Sequence, residues 1–199
     1  GYDEGCEAFV MLGMAVMVYV AMMGSWGMIK DGVRGETLGG WLTFVSLHVA
    51  LTMVVIPGIF FVFAWLSKLL SGDKTVPMKK VFVNMSYTLV PMGLAEWFAF
   101  SFGFLLPNGS YVLRVLSDPF ARGWDMFGTA GVPWTPVLTR WLVPLQYFSL
   151  FLGYLVSAYY GYRLARQTYL APVAALRGFL PLLAFLTIVV IFFGWLYGG

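Results

Sequence analysis

A chain of 199 residues that is 60% hydrophobic, 19% aromatic and only 11% charged has too few charged groups for a soluble domain, in which about a quarter of residues carry charge. Its mean hydropathy of +0.83 and its continuous apolar runs point to a helical membrane protein and exclude the short alternating segments of a transmembrane β-barrel. The net charge of +3 fits basic loops at a membrane surface and gives no nucleic-acid signal.

The predicted fold is all-α: a single polytopic domain over 1–199, with five spans near 8–28, 41–66, 81–106, 141–162 and 179–197 and one long extracytoplasmic loop. The acidic start GYDEGCE lacks a signal-peptide n-region, so the chain reads as processed or as part of a longer polypeptide. Cys6 is the lone cysteine, which excludes an internal disulfide and a cysteine-held zinc or iron–sulfur site within this chain. The methionines of the first span read as gap fillers between helices, because no histidine or cysteine accompanies them at helical spacing. A glycine-rich polar loop, Lys30 to Gly40, follows.

Span two has tryptophans at both ends, a Pro57-Gly58 kink and the chain's one histidine, His48, with Thr52 one turn further on. A single histidine cannot supply both axial ligands of a b-type haem. It can ligate one face of a haem or pigment, bond a quinone carbonyl, relay a proton, or sit neutral against a neighbouring helix. Lys68, Lys74, Lys79 and Lys80 crowd the next loop, which reads as cytoplasmic.

Span three carries Pro91 and, deep inside, Glu96. An acidic residue at the centre of a lone helix costs about 2.5 to 3.5 kcal/mol to insert, so Glu96 must be neutral, paired or facing a wet cavity. Its bland role is a hydrogen bond to a neighbouring helix; its functional role is ion or proton handling. The Ala95, Ala99, Gly103 series suits close helix contact.

The long connection from Pro107 to Arg140 is predicted to hold a short interfacial helix at Tyr111–Leu116, ended by Ser117-Asp118-Pro119, with Trp124 and Trp134 at headgroup level. The Asn108-Gly109-Ser110 sequon reads as incidental. Span four has Gln146 near its start and a Gly153, Ser157, Gly161 stripe; span five has no ionisable group inside and is expected at the periphery. Seven Lys and Arg lie on the side of the amino terminus and five on the other, which predicts a cytoplasmic amino terminus and a periplasmic carboxyl terminus.

At 1.5 Å per residue, His48, Glu96 and Gln146 lie about 10, 15 and 8 Å below the same surface. They define one candidate polar layer for a proton, quinone or solute, with Thr52 and Tyr147 as further members. No catalytic or metal-binding motif is present: no GxSxG, Walker, HExxH or Rossmann pattern and no paired metal carboxylates.

The segment from Ser86 to Pro136, with YTLVPMGLAEWFAFSFGFLLPNG and then LSDPFARGWDMFGTAGVPW, resembles the carboxy-terminal membrane portion of large bacterial multi-pass iron–sulfur proteins, relatives of the polyferredoxins of respiratory chains. The likeness covers about a quarter of the chain, and the family's cluster cysteines have no counterpart here. It implies a non-catalytic subunit in a bacterial inner membrane, surrounded by lipid and working beside cytochrome or iron–sulfur subunits. It also implies a docking face at Asp118, Arg122, Trp124, Asp125 and Trp134. No cofactor is expected from this chain alone; a quinone, or a haem or pigment through His48, is the candidate. The other class is a small-solute or ion transporter using Glu96 and His48.

Overall fold

The structure is a computed structural model and describes residue 7 and residues 9–16 and 37–198. Every regular element among the described residues is helical. Residues 9–16 form α1. Four further helices are each long and apolar enough to cross a bilayer: α2 (Leu38–Ser71), α3 (Met78–Ser117), α4 (Thr139–Thr168) and α5 (Pro172–Gly198). The first predicted span beyond residue 16, Cys6 and most of the first loop lie outside the described residues.

Prolines shape two of these helices because each lacks the N–H that would close the ladder four residues back. In α2 the chain widens into a π-helical turn, Leu51–Val55, immediately before Pro57, with the Ile56 N–H donating to the Leu51 carbonyl. In α3 the segments Met78–Ser86 and Leu89–Ser117 are separated by a turn at Tyr87 and Thr88, where the ring of Pro91 would meet the Tyr87 carbonyl.

Pro107, by contrast, is carried inside the helix. This corrects the predicted end of span three at Leu106 and the separate helix at Tyr111–Leu116: those residues are the last turns of α3, and the connection shrinks to 118–138. A proline's fixed φ is helical, so its ring costs one ladder bond there without ending the helix. The other ends also run past the predicted spans, because apolar length measures the hydrocarbon crossing and helices continue into polar ends such as Arg163 and Arg166. Gly72, at φ 68°, stops α2 in the left-handed region that a side chain would resist.

Two kinds of contact hold the bundle. On one side, phenylalanines interlock: the Phe60 ring lies 5.3 Å from Phe9, 5.6 Å from Phe82 and 5.2 Å from Phe185, joining α1, α2, α3 and α5. On the other, small residues let backbones approach. A Cβ added at Gly153 of α4 would overlap the Ala95 Cβ of α3 and stand 3.4 Å from the Pro91 carbonyl oxygen. Gly13 of α1 meets Thr52 of α2 as closely.

The expectation for span five is also corrected. α5 packs against both α2 and α4 and buries Leu182, Phe185, Leu186 and Phe193. Lipid is as apolar as leucine, so a helix whose stretch 179–197 carries no charge gains nothing from the periphery, and shape decides where it sits. Outward faces stay apolar throughout: Met53, Val54, Ile59 and Val62 of α2 and Phe148, Phe151 and Leu152 of α4 are exposed. Only 17% of the most apolar window of α2 is buried, the pattern of a lipid-facing helix rather than of a water-soluble core.

Replacing Gly153 with Leu is expected to cost about 1 to 3 kcal/mol or more by forcing α3 and α4 apart. Gly58→Ala, with nothing within 4 Å of the new methyl, is expected to be neutral or to stabilise by about 0.5 to 1 kcal/mol. Thermal unfolding of the two variants in detergent checks this contrast.

Candidate functional site

The α3–α4 seam is antiparallel and polar at intervals of a turn or two. From one end to the other, the Gln146 amide Nε2 donates to the Ala99 carbonyl at 3.0 Å and the Ser149 hydroxyl to the Ala95 carbonyl at 2.9 Å. Gly153 then fits over Ala95. Ser157 follows, then Gly161 beside Thr88, and finally the Asn84 amide donates to the Thr168 hydroxyl at 3.1 Å. Residues 146, 149, 153, 157, 161 and 168 recur at three- to four-residue steps or their multiples, which keeps them on one face of α4.

Glu96 stands at this seam with 0% of its surface exposed. Among the described residues its two carboxyl oxygens and the Ser157 Oγ are the buried side-chain atoms without a hydrogen-bond partner. The acceptors around Glu96 are occupied by others: Ala95 by Ser149, Ala99 by Gln146, and the Glu96 carbonyl itself by the Tyr197 hydroxyl of α5 at 3.4 Å. Across another face, Gly93, one turn before the acid, packs on Met11 of α1. The acid is therefore fully buried on a turn of α3 whose neighbouring residues and backbone meet α1, α4 and α5.

Of the sequence candidates, the structure buries Glu96 and Gln146 along the same seam without a hydrogen bond between them and distributes the others. Tyr147 points about 100° away from Gln146 around α4 and donates to the Gly194 carbonyl of α5 at 2.9 Å, at the outer edge of the α4–α5 seam. Thr52 turns its hydroxyl back to the His48 carbonyl of its own helix at 2.8 Å. His48 is half-exposed on Leu38–Ala50, a stretch without a buried residue. That stretch has no substantial packing with Leu89–Ser117, so among the described residues the imidazole stands apart from the acid. Nearby, a groove of about 270 Å³ lined by Leu51, Val55, Phe185 and Phe192 among others is wholly apolar and suits a hydrocarbon chain.

The sequence reading missed Ser149, Ser157 and Tyr197. The stripe that contains Ser157 was visible, but a small residue in a membrane helix signals close packing whether or not its hydroxyl has a partner. The described residues hold no group of three His, Cys, Asp or Glu that could bind a metal.

The second candidate region is a lobe. At 40 residues, about 60 Å, α3 is far longer than a hydrocarbon core, and its last turns project past the start of α4. The 118–138 connection folds back along them: Val137 N–H donates to the Leu106 carbonyl at 3.3 Å, and Ser110 exchanges two hydrogen bonds with the Thr135 backbone at 2.7 and 3.0 Å. Asp118 accepts from the Arg122 and Gly123 N–H groups at 2.8 and 2.7 Å. Asp125 accepts from the Ser117 hydroxyl at 2.7 Å and the Ala130 N–H at 3.0 Å.

These two carboxylates thus brace the lobe through its backbone N–H groups. The surface they hold out is aromatic and basic. Phe120 and Phe127 are 69% and 70% exposed, Trp124 and Trp134 are exposed, and the Arg122 guanidinium lies 5.8 Å from the Phe120 ring centre and 5.6 Å from that of Trp124.

The chain matches no family model, and no curated protein and no solved structure is similar to it, so its function is argued from these two regions alone.

The Ala130 N–H, and after it the Ser117 hydroxyl, hold the Asp125 carboxyl below the usual carboxylate range. A depressed folded value contributes stability that is complete above the unfolded value and is lost as pH falls through the folded one. The lobe is therefore expected to stay ordered at neutral pH and to loosen only under acid conditions. Asp125→Asn should loosen it already at neutral pH, as read by Trp124 fluorescence and by proteolysis after Arg122.

Proposed function

We propose that the chain is a non-catalytic integral membrane subunit of an electron-transfer complex, which holds cofactor-bearing partners against the membrane through the lobe at 107–138. The observation that carries the reading is the lobe itself. A long connection is normally mobile, yet this one is fixed by paired Asp, Ser and Thr bonds while its aromatic residues face outward. Rigid aromatic and arginine side chains on a braced surface are what a binding hot spot requires.

The resemblance of Ser86 to Pro136 to the membrane portion of bacterial iron–sulfur proteins supports cytochrome or iron–sulfur subunits as the partners. Any quinone, haem or pigment held through His48 belongs to this reading and lies apart from the Glu96 seam. Lys68, Lys74, Lys79, Lys80, Arg163, Arg166 and Arg177 gather at the bundle end opposite the lobe, which supports a bacterial inner-membrane orientation with that end cytoplasmic and the lobe periplasmic. A second reading, an ion or small-solute transporter, is favoured by the complete burial of Glu96.

Purification from native membranes under mild detergent tests the first reading. Haem or iron–sulfur absorbance is expected to accompany the chain and to be lost when Phe120, Trp124 and Phe127 are changed together to Ala, with the bundle's thermal stability unchanged. A colourless, monodisperse preparation of the unaltered chain contradicts it.

A further inference from the structure

We propose that Glu96 is a proton-binding site reached from the basic end of the bundle through Ser157 and Thr88. This rests on the helices crossing a bilayer and on no partner protein.

An acid kept only as structural glue would spend its carboxyl on a neighbouring helix. Here the gluing bonds at this level are made by Ser149, Gln146 and Tyr197, and the carboxyl is left over. An unpaired carboxylate in an apolar interior is prohibitively costly, so the group must carry a proton or a cation. The facing groups favour the proton. α4 offers the neutral Gln146, Ser149 and Ser157, α5 offers the Tyr197 phenol, and residues 9–16 of α1 contain no titratable or charged side chain. None of these facing groups is a second carboxylate that would complete a cation cage.

The direction of access follows from helix geometry. Side chains lean toward the amino terminus of their own helix, so the Glu96 carboxyl lies over the Met92–Gly93 turn. Gly153 contacts Met92 and Ala95, and Ser157 lies one turn beyond it toward the basic end. The Ser157 hydroxyl, buried and without a partner among the described residues, is thus on the side toward which the acid leans. Thr88 comes next beside Gly161, and the Asn84–Thr168 pair follows, close to Lys79 and Lys80. Thr88 donates to the Met85 carbonyl at 2.6 Å and can only accept from the relay, as Gln146 on the other side donates to Ala99; what distinguishes the basic side is the unpartnered Ser157 hydroxyl. The step is binding and release of one proton at a carboxyl oxygen, relayed by hydroxyls and water; no other bond changes.

The test uses the full chain in lipid nanodiscs. Infrared spectroscopy is expected to show a protonated-carboxyl stretch that shifts on transfer to D2O, vanishes in Glu96→Gln and moves in frequency in Ser157→Ala. Ser157→Ala removes a hydroxyl that holds nothing, so its unfolding temperature should match that of the unaltered chain. In parallel, the apolar reagent dicyclohexylcarbodiimide, which attacks protonated carboxyls, should label the Glu96 peptide, and sodium ions should not protect it. A carboxyl band that fails to exchange or ignores Ser157→Ala overturns the relay, and protection by sodium overturns the proton in favour of a cation. Neither readout involves a partner, so loss of the docking reading would leave both outcomes intact.

Discussion

The approach of α3 to α4 at Ala95 and Gly153 is the contact from which the other features follow. With no side chain on Gly153, the two backbones come close enough for Ser149 and Gln146 to reach carbonyls across the interface, and those bonds fix the antiparallel register. The register then sets two further things. It turns Glu96 inward, toward α1 and α5, and it carries the last turns of α3 past the start of α4, where the lobe is built. In hydrocarbon the hydrophobic effect does not bring helices together, so packing of small residues and interhelical hydrogen bonds must supply the specificity that burial supplies in water. The phenylalanine cluster around Phe60 fills the opposite side by shape.

Much of this was legible in the residues. Composition and run length gave four of the helices, and the Ala95 and Gly153 series marked the faces that meet. The inward position of Glu96 followed from the cost of exposing an acid to lipid. The rest depended on information that a linear reading lacks. Pro91 and Pro107 look alike in sequence, yet one interrupts its helix and the other is absorbed; each removes one donor, and the surrounding packing decides whether the ladder resumes. Depth along a span placed His48 and Glu96 in one layer, but depth says nothing about the angle around the bundle. The Leu38–Ala50 stretch keeps its histidine away from the α3–α4 seam among the described residues. α5, with no charge beyond Arg177 in its first turns, gave no sign that it would sit between α2 and α4.

The two regions divide the chemistry of the molecule. At the lobe, acidic residues direct their carboxylates to backbone N–H groups of the turns, and the outward face beside them carries aromatic rings with Arg122 laid against them. Within the bundle, the one acid is enclosed and its neighbours are hydroxyls and amides. The lobe is suited to holding something outside the bundle and the seam to handling something small within it, and α3 links them as a single helix from Leu89 to Ser117. On the reading proposed above, a subunit that anchors a redox partner at one end of α3 and binds a proton along the same helix would combine the two.

The register of α3 against α4 is tested most directly by oxidative cross-linking of paired cysteines in a chain whose Cys6 has been replaced. Ala95→Cys combined with Ser149→Cys, which leaves Gly153 bare and replaces the hydroxyl that reaches the Ala95 carbonyl, is expected to cross-link rapidly within one chain, because a disulfide requires α-carbons within about 7 Å. Ala95→Cys combined with Leu152→Cys, whose side chain faces outward, should not. Equal cross-linking of the two pairs, or none in the first, would contradict the helix contact on which the seam, the buried acid and the lobe all depend.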